Sequence, residues 1–140
     1  DMGIHHLTYS LLPWSGAFSV ETVVRAAYEL NVPLTAFEAP VASGTPGPAA
    51  TDPGSLLRVD CPDVIVEAVK VAEEDASRIV VRLYEAGGGA HEARLTAAVP
   101  LRGAWETNLL ERKPRECRVE GRAVALRFRP FEIKTLVLAV

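Results

Sequence analysis

The 140 residues carry 15 basic and 18 acidic side chains, a net charge of −3 and a pI near 5.6, with nearly half of the residues hydrophobic. A chain of this size suits one domain and can bury about two-thirds of its unfolded surface without staples. There is no basic stripe to hold a nucleic acid, and no apolar run near the roughly 20 residues of a membrane span.

Residues 5–12 alternate, with Leu7, Tyr9 and Leu11 on one side, and read as a strand ended by Pro13 and Gly16. A three-turn helix is predicted next. Ser19 serves as N-cap, Glu21 suits the first turn, Val20, Val23, Val24 and Ala27 repeat at helical spacing, and Asn31 and Pro33 stop it. Residues 39–54 are rich in Pro, Gly, Ala, Ser and Thr and read as a mobile loop.

From Leu56 onward every pattern is a strand pattern. Leu57 and Val59 lead in, and residues 64–71 follow, closed by the polar turn Glu73-Glu74-Asp75. In residues 78–85, Ile79, Val81 and Leu83 share one face and Arg78, Val80, Arg82 and Tyr84 the other. After Gly87-Gly88-Gly89 come residues 91–99 and 105–110. A tight turn at Glu120-Gly121 leads into Val124, Leu126 and Phe128, and residues 134–140 form the last strand. Eight or nine short strands with turns between them predict a mainly β fold. The expected architecture is an antiparallel β-sandwich with one short helix near the N-terminus, residues 1–140 forming a single domain.

The search for chemistry returns little. His5 and His6 are neighbours on an expected strand, so they point to opposite faces and do not share an ion readily. His91-Glu92 is not HExxH, because Leu95 replaces the second histidine; it reads as a surface pair beside a glycine turn. Ser15-Gly16 lacks the first glycine of a nucleophile elbow, and Gly87 to Gly89 has neither dinucleotide-loop nor phosphate-loop spacing. Glu85, Glu92, Glu106, Glu111 and Glu132 offer carboxylates for glycoside hydrolysis, but no spacing pairs any two of them. The run Arg112, Lys113, Arg115 is broken by Pro114 and flanked by glutamates, as in a solvated loop. Cys61 and Cys117 lie far apart and read as small buried hydrophobes, with a disulfide the minor alternative. Together with the absence of an Asn-x-Ser/Thr acceptor, they point to a cytoplasmic protein. No signal peptide is expected, and the start Asp1-Met2-Gly3 reads as a cut from something longer.

Six segments in order carry a family resemblance. They are Gly3 to Pro13, Ala26 to Leu34, Val66 to Glu74, Ile79 to Gly88 with its Arg82-Leu83-Tyr84-Glu85, Asn108 to Glu111, and Phe128 to Leu136. Together they resemble the C-terminal region of class II α-mannosidases, glycoside hydrolase family 38, of bacterial and cytosolic type. Trp14 departs from the histidine the family often has after the proline. The resemblance implies a retaining, zinc-dependent enzyme releasing terminal α-linked mannose. Its H-x-D metal motif and its nucleophile lie in an upstream catalytic domain of the same polypeptide. No catalytic residue and no metal or cofactor is expected in this chain. Its implied partners are the upstream domain and, through it, a mannose-containing glycan, with no nucleic acid and no membrane. Arg82 and Tyr84 are the candidates for the substrate rim or the domain interface. The other readings are an independent carbohydrate-binding module and a self-contained hydrolase; too few exposed aromatics and no assembled catalytic groups count against them.

Overall fold

A computed structural model describes residues 2–36 and 55–140. The chain divides into two compact units, Asp1–Pro40 and Val41–Val140. The loop expected over 39–54 lies outside the described residues.

In the first unit, helix α1 spans Val20–Asn31. The Ser19 hydroxyl accepts the Thr22 N–H at 3.2 Å, and Arg25 pairs with Glu21 one turn earlier at 3.1 Å. At the other end, the Asn31 side chain donates to the Ala27 carbonyl and the Val32 N–H to that of Tyr28. The apolar face is at best half-buried: no residue of α1 is buried. Residues 5–12 form no strand, which corrects the expectation. A strand exists only with a ladder partner, and none of the described residues pairs with this segment, so Leu7, Tyr9 and Leu11 stand about 90% exposed.

The second unit is a sandwich. Nine strands are found among the described residues: β1 Leu57–Val59, β2 Val64–Val71, β3 Arg78–Glu85, β4 His91–Ala97, β5 Gly103–Thr107, β6 Arg115–Glu116, β7 Val119–Glu120, β8 Ala123–Phe128 and β9 Ile133–Ala139. All pairings are antiparallel. One sheet has the order β1-β4-β8-β7 and the other β2-β3-β9-β5-β6. The period-2 alternation puts Val81, Leu83, Leu136 and Leu138 of the second sheet against Leu95, Val124, Leu126 and Phe128 of the first, all buried. Gly121 has φ 66°, the positive value required at the first position of the two-residue turn between β7 and β8.

Two expectations for this region are corrected. The segment expected over 105–110 stops at Thr107, because the Asn108 carboxamide oxygen turns the chain by accepting the N–H groups of Leu110 and Arg112. Arg115, expected in a loop, lies in β6 opposite Glu106.

The burial pattern sets two mutational costs. Leu83→Ala is expected to lower the unfolding free energy by about 3 kcal/mol through a core cavity, and Leu7→Ala by less than about 0.5 kcal/mol. Urea denaturation of the two variants checks both.

Candidate functional site

Arg82 and Tyr84 face outward from β3, on the side away from the core. That outer face is nonetheless partly covered: Ile65, Val80, Thr135 and Val137 lie on it and are buried, while Ile133 at its edge is exposed. Residues 108–113 are tied back across it. The Arg82 guanidinium donates to the Leu109 carbonyl at 3.2 Å and to the Thr135 hydroxyl at 3.5 Å. Glu111, held at φ 60°, accepts Lys70 Nζ at 2.6 Å and the Glu73 N–H at 2.9 Å. Hydrogen bonding to Lys70 and Glu73, against some burial, holds the Glu111 carboxyl below the usual range. Arg82 therefore serves first as a tether, and Tyr84 is half-buried between Ile65 and Ile133. Beside the tether is an open cleft of about 640 Å³ lined by Asp75, Arg78, Trp105 and Leu110 among others. The Arg78 guanidinium lies 4.8 Å from the Trp105 ring centre, over one face of the indole.

The structure brings more chemistry together at one end of the sandwich. Glu85, the last residue of β3, is 1% exposed. Its carboxylate accepts four backbone N–H groups: Gly87 at 2.7 Å, Gly88 at 2.9 Å, Gly89 at 3.3 Å and Phe131 at 2.8 Å. Burial alone would push this carboxyl up, but the four donors outweigh it and hold it below the ordinary value. Glycine is required at 88 for two reasons. Its φ is 76°, and a Cβ there would meet the Phe131 ring at 2.7 Å. His91 opens β4 beside this carboxylate, with Nε2 3.5 Å from Glu85 Oε1 and 3.6 Å from Asp63 Oδ2. The expected His91-Glu92 pair is not made; Glu92 faces the other way and pairs with Arg127 at 2.9 Å.

Two of the five sequence-candidate carboxylates do meet, around a lysine. Lys134 is 8% exposed and donates to Glu106 at 2.8 Å, with Glu132 at 3.7 Å and the Phe128 ring centre at 5.7 Å. Burial pushes Glu106 and Glu132 up, but Lys134 and the partner arginines and N–H groups hold both below the usual range. Such a grouping is an ion-pair network, with every carboxylate already engaged. Both cysteines are free, Cys61 buried and Cys117 half-buried, so the disulfide alternative is not realised. The sequence reading named Glu85 only as a candidate hydrolytic carboxylate and missed Lys134, although each lies in phase with the core side of its strand.

Residues 63–136, just over half of the chain, match the family of glycosyl hydrolases family 38 C-terminal beta sandwich domains. The chain belongs to this family. It is 37% identical over its whole length to human alpha-mannosidase 2C1 and 35% identical to the mouse protein of that name. It is 30% identical over 96% of its length to alpha-mannosidase G of Dictyostelium discoideum. The chain spans only 12–13% of the length of these relatives. The fold expected from the strand and helix pattern, a mainly β antiparallel sandwich with one short helix, is the fold found. No helix among the described residues is long and apolar enough to cross a membrane.

Glu85→Gln keeps the shape but places an amide against N–H donors, and is expected to cost on the order of 3 kcal/mol. A depressed folded pKa stabilises fully above the ordinary value of 4.5 and is lost as pH falls through the folded value. Unfolding free energy should therefore decline below about pH 4.5, and by less in Glu85→Gln; denaturant titrations at several pH values read both effects. Arg82→Met is expected to cost only about 1 kcal/mol while speeding proteolytic cleavage within residues 108–113.

Proposed function

We propose that this chain is an accessory β-sandwich of a retaining, zinc-dependent α-mannosidase, supporting an upstream catalytic domain and having no activity by itself. The family membership carries this reading, because the sandwich it names is a small share of the relatives that contain it. The H-x-D metal motif implied by the resemblance occurs nowhere in the sequence, so the zinc, the nucleophile and the mannose pocket belong on this reading to the upstream part.

The first unit supports the same reading. Ile4, Leu7, Tyr9 and Leu11 are apolar at mainly alternate positions and are each almost fully exposed. Such a segment has strand chemistry without a strand partner among the described residues, and an upstream sheet edge would supply both the ladder and the apolar cover. On this reading Arg82 acts at the interface or rim indirectly, by fixing residues 108–113, whose Leu109 and Leu110 are exposed, and Tyr84 faces the same side of β3. Two free cysteines fit a cytoplasmic location.

Hydrolysis of a chromogenic α-mannoside tests the proposal. The chain alone should show no turnover with or without zinc, and co-expression with the upstream segment should give zinc-dependent turnover. Tyr9→Asp should weaken that association while leaving the sandwich folded. Zinc-dependent turnover by the chain alone overturns the accessory reading. Glycan-array binding by the free chain would instead favour an independent carbohydrate-binding module.

A further inference from the structure

Three side chains able to bind a metal converge at the sandwich end that Glu85 organises. Cys61, Asp63 and His91 each offer one ligand atom, all within 4.8 Å of one another. Cys61 and Asp63 lie in the crossover from β1 to β2, and His91 opens β4 after the crossover from β3. The placement is fixed by the backbone: the Val64 N–H donates to the Cys61 carbonyl at 3.2 Å, and the Ala86 N–H to the Asp63 carbonyl at 2.8 Å.

We propose that Cys61, Asp63 and His91 form a binding site for a divalent transition-metal ion of zinc type, with its remaining coordination position open to solvent.

The spacing favours an ion over a hydrogen-bonded cluster. His91 Nε2 lies 3.6 Å from Asp63 Oδ2 and 3.5 Å from Glu85 Oε1. Both separations exceed the 2.7–3.2 Å or so of an N–H···O bond. The His91–Asp63 separation approaches the roughly 3.3 Å between two ligands of a tetrahedral ion with bonds of about 2.0–2.1 Å. The Cys61 sulfur lies within 4.8 Å of the other two donors and would have to draw closer to complete the sphere.

The backbone also leaves room for the ligands. A Cβ on Gly87 would lie 2.7 Å from Asp63 Oδ1, and one on Gly89 would lie 2.5 Å from His91 Nε2. Glycine at both positions is what lets the two side chains occupy this corner. The Glu85 carboxylate keeps its four N–H donors and adds a negative charge 3.5 Å from His91 Nε2, which favours a cation at this corner.

The donor set selects the ion. Thiolate, imidazole and carboxylate together suit zinc or cobalt(II), whereas calcium and magnesium prefer oxygen alone. Cys61 is buried, while the Asp63 and His91 side chains are 31% exposed, so solvent has access from their side. Three protein ligands with such an opening leave a position for water or for a donor atom of another molecule. Binding replaces the Cys61 S–H bond by a sulfur–metal bond and releases the proton to solvent.

The test uses cobalt(II) and zinc(II) added to the whole 140-residue chain under non-thiol reductant. Cobalt should give a thiolate-to-metal charge-transfer band in the near ultraviolet, displaced by zinc and retained in Cys117→Ser. Cys61→Ser should abolish the band, and Asp63→Asn and His91→Gln should each weaken binding at least about tenfold, with circular dichroism checking each fold. If Cys61→Ser fails to fold, Cys61→Ala and the two surface variants decide. Absence of the band in the folded wild-type chain overturns the site, as does a band that follows Cys117, or unchanged affinity in His91→Gln.

Discussion

The Glu85 carboxylate holds the sandwich together at the end where its connections are most crowded. Three crossovers between the sheets meet there: β1 to β2, β3 to β4 and β8 to β9. Each carries backbone N–H groups with no ladder partner, and a buried N–H left unpaired is costly. One carboxylate takes four of them, three from the β3–β4 glycines and one from Phe131 in the β8–β9 crossover. The β1–β2 crossover joins through the adjacent Ala86 N–H, which donates to Asp63. The glycines are part of the same device, since their amides can surround a carboxylate only where no Cβ intervenes. The negative charge that is costly to bury is thus what makes this corner rigid.

The sequence made the sandwich readable because its strands alternate cleanly. In β3 and β9 the core phase is set by Ile79, Val81 and Leu83 and by Leu136 and Leu138. Extending that phase by two residues reaches Glu85 in one strand and Lys134 in the other. A charged residue in core phase is the signal that could have identified both as structural centres, since burial demands a partner. What could not be read was the partner itself. Glu106 reaches Lys134 across 28 positions, and Phe131 reaches Glu85 across 46.

The misplaced boundaries have the same cause. Asn108 ends β5 by a local side-chain bond that competes with the ladder, and the tether holding residues 108–113 comes from Arg82 and Lys70, distant in sequence. Residues 5–12 are the converse case. Alternation there is genuine, but alternation states only which residues would share a face, while a ladder needs a second strand. The helix was legible almost to the residue because its Ser19 cap and Asn31 stop act within one turn. Ala27, placed on its apolar face by spacing, is exposed among the described residues.

These two behaviours bear on the function together. The sandwich satisfies its own buried side-chain polar atoms, none being left unpartnered among the described residues, and it covers much of the outer face of its larger sheet with Arg82, Trp105 and residues 108–113. A unit so complete gains little by further burial of its sheet. The first unit is the opposite, with an apolar segment exposed and a helix none of whose residues is fully buried. An upstream domain would therefore gain most by covering the first unit, at about 25 cal/mol for each Å² of apolar surface removed from water. The sandwich would then meet that domain through its loops and charged network. On the accessory reading proposed above, the family's sandwich would be a preformed body and the segment before it the part that gains order from an upstream domain.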